Sequence, residues 1–285
     1  FAAVVGSVQD GGLPHAGCRC DNCQRAWADP AARAYVVSLA LVDARGEQAA
    51  VYLIDATPDI KFQLEMVGEW LGPHPQRPQR INQPAAIFLT HAHMGHVAGL
   101  SQLSFESMAV QNLPVYGSVK LVGMLQETEL WRPLVSQLDL LPIADEQTIV
   151  LAEGLSITPI GVPHRDEWGT GTYGFKIDGP AKSLFYMPDI DSLAQWAAAE
   201  TVLNSVDVAL VDAAFYDAGE LRGRAAVRHA SIHDTLAFWE KIDSQLVLTH
   251  FNHTNPLLNP AAPERAAVQA AGATLAETGM VFALD

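Results

Sequence analysis

Residues 87–100 read Ile87-Phe88-Leu89-Thr90-His91-Ala92-His93-Met94-Gly95-His96-Val97-Ala98-Gly99-Leu100. An apolar run ends in three histidines, and apolar residues at helical spacing follow them. In an extended segment His91 and His93 point to the same side, and a turn at Gly95 can bring His96 round to the same point. Imidazole is the commonest metal ligand in proteins and suits zinc or iron. The stretch therefore predicts a strand that ends in a metal site, with a surface or buried hydrogen-bonded histidine cluster as the alternative.

The composition predicts a soluble globular protein with a sizeable core. Of the 285 residues 49% are hydrophobic, and no apolar run approaches the roughly 20 residues that span a bilayer. The 17 Lys and Arg residues against 32 Asp and Glu give a formal net charge of -15, which repels nucleic acid and anionic membranes. A small anionic substrate remains compatible with this charge, because bound dications would dominate the field locally.

Short apolar and alternating runs predict a series of strands interleaved with helices. The predicted strands cover residues 4–8, 36–42, 50–54, 85–90, 114–118, 155–162, 173–177, 183–187, 206–211 and 246–249. The predicted helices cover residues 58–70, 97–107, 119–128 and 232–242. The four prolines between residues 72 and 84 predict an exposed linking loop, with a lid over the site as the alternative.

Several possible metal ligands follow the ends of predicted strands, where side chains converge on one edge of a sheet. The candidate ligands are His91, His93, His96, His164, Asp189 and His250. A single metal ion needs three or four of them, whereas two ions roughly 3.5 to 4 Å apart could share Asp189 as a bridge. Alternatively, His164 is an ordinary loop residue and Asp189 a turn or capping residue.

The three cysteines of the chain, Cys18, Cys20 and Cys23, fall within six residues. Residues so close together are poorly placed for ordinary structural disulfides, and a metal site fits them better. Free buried cysteines are one alternative, because cysteine is often a small core residue. A labile redox cluster is another.

The order of these elements and motifs resembles the metallo-β-lactamase superfamily, in which a four-layer αβ/βα sandwich of the α/β class carries a His-x-His-x-Asp-His motif. The resemblance covers nearly the whole chain and implies a single domain over residues 1–285 with an N-terminal cysteine-rich zinc loop. Residues 18–23 and 249–256 are similar to those of the PqqB and PhnP families within it. The resemblance implies active-site roles for His91, His93, His96, His164, Asp189 and His250, and a structural zinc held by Cys18, Cys20, Cys23 and His253.

The chain departs from the superfamily motif at Gly95, where the motif has aspartate. A second metal ion thereby loses a carboxylate ligand, which weakens the compensation of its charge. The groups left around that position are His96, His250 and Asp189. Two histidines and one carboxylate form the ligand set of non-haem iron oxygenases, although the other histidines can equally make a single zinc site.

Further polar residues lie near the predicted site in sequence. In the superfamily a histidine of the segment before the last strand often reaches the active site, which makes His229 a candidate proton donor or substrate contact. His233 is expected to be exposed or capping. Asp166 and Glu167 either supply the missing carboxylate or form a solvated loop pair, and Arg165 either neutralises a substrate anion or forms a surface salt bridge.

The leading prediction is a metal-dependent hydrolase that activates a metal-bound water, with a phosphodiester or another small ester as the candidate substrate. Asp189 and His229 are the predicted catalytic residues. The expected cofactors are a structural zinc and one or two active-site divalent ions, zinc, manganese or iron. The alternatives are a PqqB-like iron-dependent oxidative enzyme of cofactor biosynthesis and a non-catalytic, metal-stabilised binding protein.

The expected partner is a small-molecule substrate, and the chain itself is a candidate homodimer. The chain begins at Phe1 rather than Met, so the expected cytoplasmic location leaves room for a removed targeting segment.

Overall fold

The computed structural model describes residues 1–221 and 229–285. Its strands are β1 (Ala2–Gly6), β2 (Ser38–Asp43), β3 (Ala50–Ile54), β4 (Pro73–His74), β5 (Arg77–Ile81), β6 (Ala86–Phe88), β7 (Leu113–Ser118), β8 (Leu138–Ile143), β9 (Ile149–Ala152), β10 (Leu155–Val162), β11 (Thr172–Asp178), β12 (Ser183–Met187), β13 (Val208–Asp212), β14 (Gln245–Thr249), β15 (Thr274–Leu275) and β16 (Val281–Phe282). Its α-helices are α1 (Asp21–Ala28), α2 (Ile60–Met66), α3 (Gly68–Leu71), α4 (Met94–Val97), α5 (Val119–Glu127), α6 (Arg132–Val135), α7 (Ala199–Leu203), α8 (Ile232–Trp239) and α9 (Pro263–Ala270).

Two seven-stranded mixed sheets form the centre of the structure. The first has the strand order β16-β1-β2-β3-β6-β7-β8 and the second β15-β14-β13-β12-β11-β10-β9. The run from β3 to β8 is parallel in the first sheet, as is the run from β12 to β15 in the second. Parallel strands have their carboxyl ends at one edge, which is where ligands bind in such sheets.

The two sheets pack face to face over an apolar layer. Phe88 of the first sheet stacks on Tyr116 at 4.6 Å between ring centroids and meets Phe175 of the second sheet edge-on at 5.8 Å. Helices cover the outer faces: α2 and α3 pack on the first sheet, and α7 and α8 on the second. The predicted four-layer αβ/βα sandwich is therefore confirmed.

Local sequence accounts for several elements. In β10 apolar residues alternate with polar ones, and Leu155 and Ile157 are buried, as expected of a strand with one face on the core. Ser118 caps α5 by accepting a hydrogen bond from the backbone N–H of Leu121. Hydroxyl caps of this kind satisfy a donor that the first helical turn leaves free.

The segment after the histidines differs from the predicted helix over residues 97–107. A single α-helical turn, α4, is followed by a 3-10 helix over Ala98–Leu103. The buried apolar residues are Val97, Leu100 and Leu103, and their spacing of three matches the three residues per turn of a 3-10 helix. Gly99 also lies so close to the backbone of residue 57 that the tighter helix can pack there only without a side chain.

The predicted loop over residues 72–84 contains a small antiparallel hairpin formed by β4 and β5. Among the described residues, no helix is long and apolar enough to cross a membrane.

Candidate metal centre

The predicted ligands lie together at the edge where the strands of both sheets end. His91 follows β6, His164 follows β10, Asp189 follows β12 and His250 follows β14 directly. His91 and His250 have no exposed surface. The rigid sheets thus hold side chains from distant parts of the chain around one buried centre.

The first cluster consists of His91, His93 and His164, whose ring nitrogens face one another. His93 Nδ1 lies 2.7 Å from His91 Nε2 and 3.5 Å from His164 Nε2. Two imidazole nitrogens on one tetrahedral zinc ion, each about 2.0 to 2.1 Å from it, lie roughly 3.3 to 3.4 Å apart. The three nitrogens are close enough to ligate one ion. The distance between His93 and His164 matches this spacing, whereas His91 and His93 lie closer together and would move slightly apart around an ion.

The outer nitrogens of two of these rings are held by carboxylates. His164 Nδ1 lies 2.9 Å from Asp191 Oδ1, and His93 Nε2 lies 3.2 Å from Glu167 Oε2. When these nitrogens carry the protons, the inner nitrogens turn their lone pairs toward one another. Such outer carboxylates fix the tautomer and orientation of metal-binding imidazoles.

Thr90 and Asp55 orient two further rings. Thr90 Oγ1 donates to the Asp55 carboxylate at 3.0 Å and lies 2.9 Å from His91 Nδ1, so it can accept the proton of that ring. Asp55 Oδ2 also lies 2.6 Å from His96 Nδ1. Asp55 is buried and has a backbone φ of 71°, in the left-handed region. For a residue other than glycine this conformation costs about 1–3 kcal/mol and is typical of functional sites.

The second cluster contains His96 and His250, and Asp189 lies between the two clusters. Asp189 Oδ2 lies 3.2 Å from His96 Nε2, and Asp189 Oδ1 lies 3.5 Å from His250 Nε2 and 3.6 Å from His164 Nε2. His96 Nε2, His250 Nε2 and Asp189 Oδ2 are buried without a hydrogen-bond partner among the described residues. Buried polar atoms of this kind require an explanation, and a bound cation is one that suits two imidazoles facing a carboxylate.

Asp212, at the end of β13, holds two imidazoles at once. Its Oδ2 lies 2.6 Å from His229 Nδ1 and its Oδ1 lies 3.4 Å from His250 Nδ1. The Nε2 atom of His229 lies 3.3 Å from Gln9 Nε2, and the His229 ring is 5.4 Å from that of His164. The structure thus places His229 beside both clusters, with its Nδ1 atom held by Asp212.

The pKa values of the buried histidines are shifted in opposite directions in the two clusters. Burial and the neighbouring rings of His96 and His93 lower the pKa of His91 well below its usual value, which keeps its lone pair free. Burial also opposes protonation of His96 and His250, but the surrounding carboxylates outweigh it. Asp55 and Asp189 raise the pKa of His96 well above the ordinary range, and Asp189 together with other carboxylates raises the pKa of His250 to about 10. This negative field favours any cation at the second cluster.

The three cysteines and His253 form a separate cluster. Their possible ligand atoms all lie within 4.8 Å of one another, and His253 Nδ1 lies 3.5 Å from Cys20 Sγ and 3.6 Å from Cys23 Sγ. A tetrahedral zinc with bonds of about 2.3 Å to sulfur and about 2.0 to 2.1 Å to nitrogen separates those atoms by roughly 3.6 Å. The backbone N–H of Cys20 donates to Cys18 Sγ at 3.3 Å, which stabilises a thiolate.

Comparison with known proteins agrees with the fold and with this chemistry. A family model described as the beta-lactamase superfamily domain matches residues 51–251. The chain belongs to the beta-lactamase superfamily. Members built around such histidine clusters include metal-dependent hydrolases, so membership indicates an enzyme that binds divalent metal.

Relatives of this superfamily member align along its full length. It is 28% identical to coenzyme PQQ synthesis protein B of Methylorubrum populi and 29% identical to that of Xanthomonas campestris pv. campestris, in each case over 99% of both chains. The crystal structure of Zn²⁺-bound PqqB from Methylobacterium extorquens superposes with a TM-score of 0.83 at 24% identity, covering 98% of both chains. A diphosphatase of the PhnP family superposes with a TM-score of 0.70 at 24% identity, covering 98% of this chain and 94% of the other.

Three further residues predicted near the superfamily site lie outside the clusters, whereas Glu167 contacts His93 from outside. Asp166 accepts hydrogen bonds from Thr170 and is buried, so it closes its own turn instead of reaching the site. Arg165 is exposed and lies 3.8 Å from Glu167. His233 is exposed in the first turn of α8 and packs against Tyr216.

Sequence reasoning missed three buried or partly buried carboxylates that face the histidines. Asp55 follows β3 directly and Asp212 is the last residue of β13, which is the same strand-end signal that identified Asp189. The third, Asp10, lies in the loop after β1, with Oδ1 at 3.3 Å from His96 Nε2 and 3.7 Å from His250 Nε2. No local pattern distinguishes Asp10, because its neighbours at the site lie more than 80 residues away in sequence.

Proposed function

We propose that this protein is a metal-dependent hydrolase of a small ester, with a phosphodiester as the first candidate. His91, His93 and His164 would hold the principal ion, and Asp189 would lie between it and the groups around His96. The observation that carries this proposal is the set of inward-facing ring nitrogens at 2.7 and 3.5 Å in the first cluster. Their outer nitrogens have partners, and when those nitrogens carry the protons the inner lone pairs are available to bind an ion.

The residues fit a divalent ion, since neutral imidazoles with carboxylates behind them are typical ligands of zinc and other divalent metals. When bound, such an ion would lower the pKa of a water ligand from about 15.7 to about 7 and polarise the scissile bond. Zinc is the proposed metal of the cysteine cluster, and zinc, manganese or iron that of the active site. A small anionic substrate fits because bound dications would offset the local carboxylates.

His229 is the proposed proton donor to the leaving group. The Asp212 carboxylate raises the pKa of His229 against the opposing effect of burial, which favours the protonated ring that a proton donor needs. With Nδ1 fixed on Asp212, Nε2 is the nitrogen that would pass a proton to the leaving group, and a substrate would replace the contact that Gln9 Nε2 makes with it at 3.3 Å. A positioned acid of this kind contributes about 10²- to 10⁴-fold to the rate.

The test is turnover by protein loaded with zinc or manganese, assayed on panels of phosphodiesters, thioesters and lactones. We expect hydrolysis of at least one class. His229→Gln should lower kcat by about 10²- to 10⁴-fold with metal content unchanged, whereas His74→Gln, on the distant hairpin, should have no effect. Absence of turnover on all panels by fully loaded protein would contradict the hydrolase and favour a metal-stabilised binding protein.

A PqqB-like oxidative enzyme is the second candidate, favoured by the full-length match to coenzyme PQQ synthesis proteins. His96, His250 and Asp189 would supply the two-histidine, one-carboxylate set of non-haem iron enzymes. Oxygen uptake by the ferrous protein in the presence of a peptide-derived substrate is the discriminating measurement. Uptake that depends on substrate would favour this candidate, and its absence alongside ester hydrolysis would exclude it.

A further inference from the structure

The loss of the motif carboxylate at position 95 is matched by a carboxylate from another part of the chain. A Cβ atom placed on Gly95 would lie 2.3 Å from Asp10 Oδ1 and 2.6 Å from Asp10 Cγ. The Asp10 side chain therefore occupies the space that an aspartate at position 95 would need. The two side chains exclude each other, so glycine at 95 is what admits Asp10 to the site.

The Asp10 carboxylate is aimed at the second cluster. Its Oδ1 lies 3.3 Å from His96 Nε2 and 3.7 Å from His250 Nε2, and these atoms are close enough to ligate one ion. Although the side chain as a whole is 41% exposed, Oδ1 itself is buried and has no hydrogen-bond partner among the described residues. Only this oxygen of Asp10 turns inward, toward the histidines.

Four buried atoms without hydrogen-bond partners in the described part of the chain surround this position: Asp10 Oδ1, His96 Nε2, His250 Nε2 and Asp189 Oδ2. Unpartnered buried groups are costly, and four of them around one point are rarer still. Asp10, His96 and His250 form a group of three possible ligands for one divalent ion. Asp189 lies beside them, with Oδ2 at 3.2 Å from His96 Nε2. The two carboxylates also match the ion's charge.

We propose that Asp10 is a ligand of a second active-site metal ion and replaces the aspartate that the histidine motif lacks at position 95. The ion is a divalent metal that accepts nitrogen and oxygen ligands, zinc or manganese. The inference rests on the proposed metal-dependent function and deepens it. A second carboxylate leaves fewer open positions than the two-histidine, one-carboxylate set of oxygenases, so it favours the hydrolytic chemistry of paired ions.

The test is a measurement of metal content and affinity, independent of turnover. Metal-free protein would be titrated with Mn²⁺ and followed by calorimetry and by electron paramagnetic resonance, which detects coupling between two neighbouring Mn²⁺ ions. For the unaltered protein we expect two active-site ions and a coupled signal. Asp10→Asn, which keeps the side-chain shape, should weaken the second ion by about 100-fold or more, beyond the about 10- to 100-fold typical of an outer partner, and abolish the coupling.

Asp207→Asn is the matched control, because it removes an exposed carboxylate that binds Ser183 at the end of β13 away from the histidines. It should leave two ions and the coupled signal in place. Gly95→Ala provides a second variant, since its methyl group would displace the Asp10 carboxylate, and it should weaken the second ion as Asp10→Asn does. Wild-type affinity for the second ion in both Asp10→Asn and Gly95→Ala, or a single active-site ion in the unaltered protein, would overturn the proposal.

The test of Asp10 as a metal ligand can succeed or fail independently of the test of the proposed hydrolase. Two coupled ions that depend on Asp10, in a protein that hydrolyses no ester, would support the ligand assignment and reject the hydrolase. If instead the unaltered protein and Asp10→Asn both hydrolyse an ester with one active-site ion, the result would support the hydrolase and reject Asp10 as a ligand.

Discussion

At the scale of single residues, carboxylates behind the histidines decide what the site can bind. Asp212 is fully buried, accepts backbone hydrogen bonds from Ile190 and Ala214, and contacts both His229 and His250. The backbone bonds hold the carboxylate still, so it in turn holds two rings. Removing its charge would leave both imidazoles free to change tautomer, which is how an outer residue alters metal affinity.

Asp212→Asn tests this positioning role. We expect the affinity for active-site metal to fall by about 10- to 100-fold, with kcat reduced because His229 loses its anchor. Asp207→Asn is the control, since Asp207 precedes the other end of β13, is exposed and binds Ser183. Isothermal titration with Zn²⁺ or Mn²⁺ gives the affinities, and equal values for the two variants would contradict the role assigned to Asp212.

At the scale of elements, the close approach of the 3-10 helix to the loop before α2 brings His96 next to Asp55. A Cβ on Gly99 would lie 1.9 Å from the carbonyl oxygen of Thr57, and the Gly99 N–H donates to the Ala56 carbonyl at 2.8 Å. These backbones touch directly. A methyl group would force them apart because packed interiors have no room to absorb it.

Gly99→Ala should therefore lower the free energy of unfolding by about 1–3 kcal/mol or more, the usual cost of overpacking. Gly123→Ala, in α5, is the control because a Cβ there meets nothing within 4 Å. It should raise the stability by up to about 1 kcal/mol through helix propensity. Urea unfolding of both variants measures the difference, and a Gly99→Ala protein as stable as the parent would show that the loop can move away.

Some elements and candidate site residues could be predicted from the sequence alone, and others could not. The candidate ligands His91, His93 and His96 lie in one local motif, and His164 and His250 follow strands with clear apolar patterns, so local sequence was enough to propose them. The 3-10 helix was missed because three buried apolar residues at a spacing of three also fit an α-helix. Asp10 could not be found, because its relation to Gly95 exists only in the folded chain.

At the scale of the whole molecule, the cysteine cluster joins the loop after β1 to the loop after β14. It lies eight residues after Asp10 and three residues after His250, and Asn22 adds bonds from its side chain to the carbonyls of His253 and Asn255 at 3.1 and 2.9 Å. A zinc ion there would fix the loops that carry two groups of the second cluster. Structural zinc of this closed type contributes directly to folding energy.

His253→Ala measures that contribution. One zinc per chain should be lost, and the free energy of unfolding should fall by about 3 kcal/mol or more where free zinc exceeds its dissociation constant 100-fold. The second active-site ion should also bind more weakly, because the loops of Asp10 and His250 are no longer tied together. His74→Ala, on the β4–β5 hairpin, is the control and should change neither quantity. Elemental analysis gives the zinc content and thermal unfolding gives Tm. Unchanged zinc content and Tm in His253→Ala would contradict the assignment of His253 as a ligand of a structural zinc.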